Sequence, residues 1–70
     1  MKTITTKEIY YAAMYHIMEK REHEEMINER TYNDLGRYNE ISQHRIKKYS
    51  EQIDELHAAI LEIEKQETAN

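Results

Sequence analysis

Apolar residues recur at alternating spacings of three and four along the second half of the chain. This spacing is typical of the a and d positions of a helix that packs lengthwise against another helix. Nearly all of the remaining positions in this segment hold polar or small residues. We therefore predict a coiled-coil-like helix whose packing seam consists of Ile46, Tyr49, Ile53, Leu56, Ile60 and Ile63.

The first half of the chain carries signals for the start of another helix. Thr5 is a residue type that caps helix N-termini, and Glu8 follows it at the spacing of a capping box. Ile4 and Ile9 have the spacing of a hydrophobic staple. We therefore expect the first helix to begin directly after Thr5.

The next interruption is the turn-favouring segment Asn-Asp-Leu-Gly that ends at Gly36, the only glycine in the chain. Glycine commonly terminates helices because it tolerates a left-handed backbone. This predicts helix 1 over about residues 6–35, a turn near Gly36 and helix 2 over about residues 39–66. The chain is interpreted as a single all-α domain over residues 1–70, an antiparallel two-helix hairpin, with one uninterrupted helix as the alternative.

Residues 9–18 form a block that is apolar or aromatic around most of the helix circumference. One narrow seam on helix 2 cannot cover such a block, so we expect Ile9, Ala13 and Ile17 to face helix 2 and the remaining residues to bind another chain. A second copy would complete a dimeric four-helix bundle, and docking on a different protein is the alternative. The predicted interaction residues are Tyr10, Tyr11, Met14, Tyr15 and Met18.

The composition is that of a small protein without disulfide bonds. The chain has 70 residues, no cysteine, no proline and a net charge of −4. No stretch reaches the roughly 20 apolar residues of a membrane span, and the first residues lack the apolar core of a signal peptide, so we expect a cytoplasmic protein without membrane contact. Residue types with AT-rich codons dominate, which is typical of a low-GC genome, as in many Gram-positive bacteria and their phages, and we expect a protein encoded by a phage or another mobile element.

Charge is uneven along helix 2. Residues 51–70 are acidic, whereas residues 37–50 are basic, so we expect an acidic open end and a basic turn. Direct binding of nucleic acid is disfavoured by the net negative charge. The acidic end favours a different hypothesis, in which the surface imitates a nucleic-acid backbone and inhibits a nuclease or other DNA-binding protein, as an anti-CRISPR protein does.

Candidate chemistry is sparse. Asp54 and His57 on helix 2 have the spacing of one half of a carboxylate-bridged metal site, but helix 1 offers no matching pair. His23 and Glu24 begin like a metalloprotease motif, yet Ile27 stands where the second histidine belongs. We therefore predict no metal, no cofactor and no catalytic residues. The favoured function is a non-enzymatic helical interaction module that regulates or inhibits a larger protein.

One segment resembles a known enzyme family. Residues 49–56, with Ser50 and Asp54, resemble the Ser-x-x-x-Asp signature of the small helical-hairpin phosphatases that act on the aspartyl-phosphate of the sporulation response regulator of bacilli. Residues 19–27 are similar to the charged first helix of that family. The resemblance implies that Asp54 orients a water at the phosphoryl group and that Ser50 is its signature partner. The stretch between the two segments is longer than in that family, and His57 replaces a usual aliphatic residue.

Overall fold

The computed structural model describes residues 5–69, and these form two α-helices that pack against each other. Helix α1 spans Thr6–Leu35 and helix α2 spans Glu40–Ala69. The helices run antiparallel, because the start of α1 contacts the end of α2 through an ion pair of 2.9 Å between Lys7 Nζ and Glu67 Oε2. The predicted all-helical hairpin is confirmed, and no strand occurs in the described part of the chain.

Side-chain caps define both helix starts. Thr5 Oγ1 accepts a hydrogen bond of 3.1 Å from the backbone N–H of Glu8, as the sequence predicts. Asn39 Oδ1 accepts one of 3.0 Å from the backbone N–H of Ser42 in the same way. The proposed staple partner Ile4 lies outside the described residues, whereas Ile9 is 55% exposed.

The helix ends follow from backbone chemistry. Gly36 has a φ of 70°, and its N–H donates to the carbonyl of Tyr32 over 2.8 Å, which closes α1 with a left-handed cap. Helix α2 continues beyond the expected end near residue 66 to Ala69. No proline or glycine interrupts this segment, and the Thr68 hydroxyl donates to the Glu64 carbonyl within the last turn.

The apolar core lies at one end of the hairpin. We call residues 6–20 and 51–69 the open half, and residues 21–50 the turn half. The three buried apolar residues of the described chain, Met14, Ile53 and Ile60, all belong to the open half. The side chains packed around them are Tyr10, Tyr11, Ile17, Met18 and Leu56.

The packing face changes chemistry as it enters the turn half. In α1 the face occupied by Tyr10, Met14 and Ile17 continues, at the same spacing of three and four, to Arg21 and Glu24. Polar side chains therefore replace the apolar core in the turn half. None of the helices over residues 5–69 is apolar over a length that could cross a lipid bilayer.

Candidate interaction surfaces

The aromatic block of α1 takes part in the hairpin's own packing. Met14 is buried, and Tyr10, Tyr11 and Met18 pack against the core. Of the five predicted interaction residues, Tyr15 is the one with a largely exposed side chain, at 56%. Whether the block also contacts a second chain therefore depends mainly on Tyr15 and on the partly exposed edges of its neighbours.

The expected orientation of α1 requires a correction. Ile9 was expected to face α2, but its side chain is more than half exposed. Tyr11 and Met18 were expected to point away, but both pack against the core. The reason is that Met14, rather than Ala13, occupies the centre of the packing face, which rotates this face away from Ile9.

Two hydrogen bonds between the helices close the open end, one from Tyr11 to Glu64 and one from Lys7 to Glu67. The Tyr11 hydroxyl donates to Glu64 Oε1 over 3.0 Å, and Tyr11 stacks on Tyr15 with ring centroids 6.1 Å apart. The hydrogen bond to Glu64 raises the pKa of Tyr11 above its usual value. The pKa of Lys7 is also raised, chiefly by its hydrogen bond to Glu67. Two of the acidic side chains of α2 are thus engaged within the hairpin.

The α2 seam is buried or partly buried at all six of its positions. Ile53 and Ile60 are buried, and Leu56 packs against them. The seam residues Ile46, Tyr49 and Ile63 are partly buried. Ser42, four residues before Ile46, is only 2% exposed and continues the seam towards the turn.

A buried carboxylate lies in the turn half. Glu24 is 7% exposed, and its Oε1 accepts a hydrogen bond of 3.1 Å from Arg45 Nη1. The nearby Ser42 hydroxyl and the Arg45 guanidinium hold the pKa of Glu24 below its usual value, against the opposing effect of burial. Glu24 Oε2 is buried without a well-formed hydrogen bond. Ser42 therefore lies close enough to Glu24 to favour its charged carboxylate.

Further polar contacts join the helices on either side of Glu24. The Arg21 guanidinium donates to Ser50 Oγ over 3.3 Å, and the Asn28 side-chain oxygen accepts a bond of 2.7 Å from the backbone N–H of Asn39. Sequence reasoning overlooked this cluster because it searched for apolar seams. The signal was present in the spacing, since Arg21, Glu24 and Asn28 continue the helical stripe of Met14.

The turn end carries an exposed apolar patch, which we call the turn patch. It consists of Tyr32, Leu35, Tyr38 and Ile41, each between 47% and 65% exposed. The rings of Tyr32 and Tyr38 stack with centroids 4.6 Å apart. Leu35, Tyr38 and Ile41 also line a shallow groove of about 340 Å³ together with Arg37. Sequence reasoning did not identify this patch, because its residues are separated by the turn.

The charge of the turn half differs from the expectation based on α2 alone. The turn half contains the cations of α2 and also carboxylates of α1, which include Glu22, Glu25 and Glu29. The turn half therefore carries as many acidic as basic side chains. The open half keeps its acidic excess, with Glu51, Asp54 and other carboxylates exposed on α2.

The phosphatase-like residues lie on one face of α2. Ser50 is partly buried beside Arg21, and Asp54 is exposed one helical turn further along. An arginine, a hydroxyl and a carboxylate are thus adjacent, and the arginine is a suitable partner for an anionic group. Over residues 5–69, no cluster of three or more histidine or carboxylate side chains has an arrangement that would bind a metal ion.

Comparison with protein-family models, with curated proteins and with solved structures finds no match for this chain.

Proposed function

We propose that the protein is a non-enzymatic interaction module that self-associates and regulates or inhibits a larger protein. The observation that carries this proposal is the contrast between the small core and the exposed apolar surface. Three apolar side chains are buried in the described residues, whereas eight large ones are about half exposed or more. Such surface on a small protein is typical of a site that another protein covers.

The same contrast supports self-association. Ordering each residue of a chain costs roughly 1.5 kcal/mol, and small domains without disulfides or metals offset this cost by burying further apolar surface, often in oligomers. Residues 5–69 form two helices, and within this range no third helix covers them. A second hairpin would supply the missing layer and complete the four-helix bundle that the sequence predicts.

The turn patch is the surface that we assign to the larger target. Its four apolar side chains lie outside the core and take no part in the packing of the open half. Tyrosine is enriched at protein interfaces because its ring buries a large area while its hydroxyl can still form hydrogen bonds. The groove beside Tyr38 gives the patch a concave element that an apolar side chain could fill.

The first test measures mass and capture together. Light scattering over a range of protein concentrations should give a mass above that of the 8.5 kDa monomer. Leu35→Glu combined with Tyr38→Glu should abolish capture of the target from cells that encode the protein while leaving helicity intact, since both side chains are mostly exposed. Ile9→Glu, an equally exposed site in the open half, is the matched control. A fully helical monomer that captures no protein would contradict the proposal.

A second candidate function is aspartyl-phosphate hydrolysis, as the resemblance to the sporulation phosphatases implies. The observation that favours it is the adjacency of Arg21 and Ser50 to the exposed Asp54. Asp54→Ala should then abolish release of phosphate from a phosphorylated receiver domain. Glu55→Ala, which removes the neighbouring exposed carboxylate, should leave the rate unchanged. Absence of phosphate release by the wild-type protein would exclude this candidate.

A further inference from the structure

Two largely exposed apolar side chains of the open half lie on the same broad face of the hairpin. Tyr15 directly follows the buried Met14 in α1, and Leu61 directly follows the buried Ile60 in α2. Because the helices are antiparallel, residues that follow a core position point to the same side of the pair in both helices. Tyr15 is 56% exposed and Leu61 is 52% exposed. This side of the hairpin therefore presents an accessible apolar surface.

Two partly buried side chains join these residues into one surface. Tyr11 stacks on Tyr15, and its hydroxyl donates to Glu64, three residues beyond Leu61. Met18 lies one helical turn beyond Tyr15 and packs against the core. We call the surface formed by Tyr11, Tyr15, Met18 and Leu61 the tyrosine face. The Glu64 carboxylate beside it already accepts a hydrogen bond, which lowers the cost of covering it.

The opposite broad face offers less apolar area. The residues that directly precede the same core positions are Ala13 and Ala59, whose side chains are small. Two exposed carboxylates, Glu55 and Glu62, lie about one helical turn on either side of Ala59. Burial of the tyrosine face would therefore stabilise a complex more than burial of the opposite face.

We propose that two copies of the chain pack tyrosine face to tyrosine face, with α1 of each copy antiparallel on α2 of the other. This inference rests on the self-association of the proposed function and adds the face and the orientation. The two hairpin layers then form an antiparallel four-helix bundle, and a two-fold axis parallel to the helices keeps every residue at its own level. Because Tyr11 and Glu64 are level within one hairpin, Tyr15 of one copy lies within one helical turn of Leu61 of the other. Asp54, seven residues before Leu61, flanks this contact, and the Tyr15 hydroxyl of the other copy can donate to it.

Two exposed charges on the same side of the hairpin select this orientation. Glu22 and Lys47 continue the exposed stripes of α1 and α2 at intervals of seven residues. The hydrogen bond between Arg21 and Ser50 shows that these positions are nearly level. Packing α1 on α2 therefore sets Glu22 of one copy against Lys47 of the other, and the two-fold axis repeats the pair. Neither residue belongs to the salt bridges formed among residues 5–69 of one chain.

The other two-fold arrangement of the tyrosine face is electrostatically unfavourable. Packing α1 on α1 about Tyr15 would set Glu8 of one copy against Glu22 of the other, since both lie seven residues from Tyr15. Surface ion pairs contribute little affinity, but like charges discriminate strongly against an orientation. The apolar side chains therefore supply the affinity, and the charges select the packing of α1 on α2.

This dimer leaves the turn patch uncovered. Tyr32 of the turn patch lies roughly 25 Å along α1 from Tyr15, at about 1.5 Å per residue. The two-fold axis places both turn patches at the same end of the bundle, where they remain accessible to the larger target.

Tyr15→Glu combined with Leu61→Glu tests the face. This double variant should dimerise at least about 100-fold more weakly than wild type, because it places charges at the centre of the apolar contact. Both side chains are more than half exposed in the hairpin, so the helicity measured by circular dichroism should persist. Ile9→Glu combined with Ile41→Glu adds the same charge at similarly exposed sites outside the tyrosine face and should dimerise like wild type. Sedimentation velocity over a range of concentrations measures the dissociation constants.

A charge exchange tests the orientation. E22K and K47E should each dimerise about five-fold more weakly than wild type at low salt, because each aligns like charges in both symmetric contacts. An equimolar mixture of the two should form heterodimers in preference to either homodimer, since both contacts are then attractive. Packing α1 on α1 predicts the opposite for E22K, which would bind more tightly through Glu8.

The outcomes separate this inference from the proposed function. A wild-type protein that is monomeric at all concentrations overturns self-association and the tyrosine face together. A wild-type dimer that Y15E/L61E weakens no more than I9E/I41E overturns the tyrosine face and leaves self-association standing. A dimer that E22K strengthens, or a mixture that forms no heterodimer, overturns the orientation.

Discussion

The open half and the turn half use the same helical spacing with different chemistry. In the open half the facing positions hold Met14, Ile53 and Ile60, which exclude water and stabilise the pair by apolar burial. In the turn half the corresponding positions of α1 hold Arg21 and Glu24, which bond to side chains of α2. The spacing therefore fixes where the helices touch, while the residue types fix how strongly they hold together.

The difference extends to the surface. The turn half, which lacks a buried apolar residue, carries five of the eight exposed large apolar side chains. The turn half therefore buries polar groups and exposes apolar ones, which is the reverse of the arrangement that stabilises an isolated domain. This reversal is expected where part of a protein is completed by a partner.

The largest expected effect is the loss of a core side chain. Ile60→Ala should lower the free energy of unfolding by about 2–5 kcal/mol, because Ile60 is 1% exposed and its removal leaves a cavity. Ile41→Ala makes the same chemical change at a 65% exposed site of the turn half and should cost no more than about 0.5 kcal/mol. Urea unfolding of both variants at one low protein concentration provides the measurement.

Equal losses of stability in the two isoleucine variants would contradict the assignment of the apolar core to the open half. If Ile60→Ala does not fold, the milder Ile60→Val should still fold and lose about 0.5–1.5 kcal/mol.

A smaller effect is expected at the buried carboxylate, and it should depend on pH. Because the pKa of Glu24 is lower in the folded state than its ordinary 4.5, its contribution is complete above that value and is lost as the pH falls through the folded pKa. Glu24→Gln should lower the melting temperature at neutral pH and flatten the loss of stability on acidification. Glu29→Gln, at an exposed carboxylate of the same half, should change neither. Thermal unfolding followed by circular dichroism between neutral and acidic pH tests both variants.

An acid dependence that Glu24→Gln leaves unchanged would assign the effect to other carboxylates. The polar cluster of the turn half would then contribute no measurable stability through Glu24.

The smallest effect concerns the connection itself. Gly36→Ala should cost about 1 kcal/mol, because the residue has a φ of 70°. An added Cβ would meet no atom within 4 Å, so the cost is conformational rather than steric crowding with neighbouring groups. Gly36→Asn should cost less, since asparagine tolerates the left-handed backbone. Chemical denaturation measures the free energy of unfolding of both variants. Equal losses for alanine and asparagine would show that the left-handed backbone is not the cause.

Local signals predicted the backbone of this protein well. The cap at Thr5, the left-handed glycine at Gly36 and the seam of α2 depend on residues close together in the chain, so the sequence is sufficient to identify them. The seam spacing also predicted that α2 packs against another helix. The end of α2 was missed because polar composition was interpreted as fraying, although polar residues also form helices well.

The surfaces were predicted less well because they depend on rotation and on proximity across the turn. A block that is apolar on several faces does not reveal which face meets α2, so the roles of Ile9 and Met14 were exchanged. The polar cluster around Glu24 required knowing that Ser42 and Arg45 lie beside it.

By itself, the sequence determined two helices, their caps, the turn and the excess of apolar residues over what one hairpin can bury. These features arise from local backbone preferences and from helical periodicity. Only the packing of the two helices shows that Tyr10, Tyr11, Met14 and Met18 contribute to the core, that Glu24 is buried and that the turn patch is exposed. The physical reason is that burial depends on which side chains meet across the helix pair, and this follows from the relative rotation of the two helices.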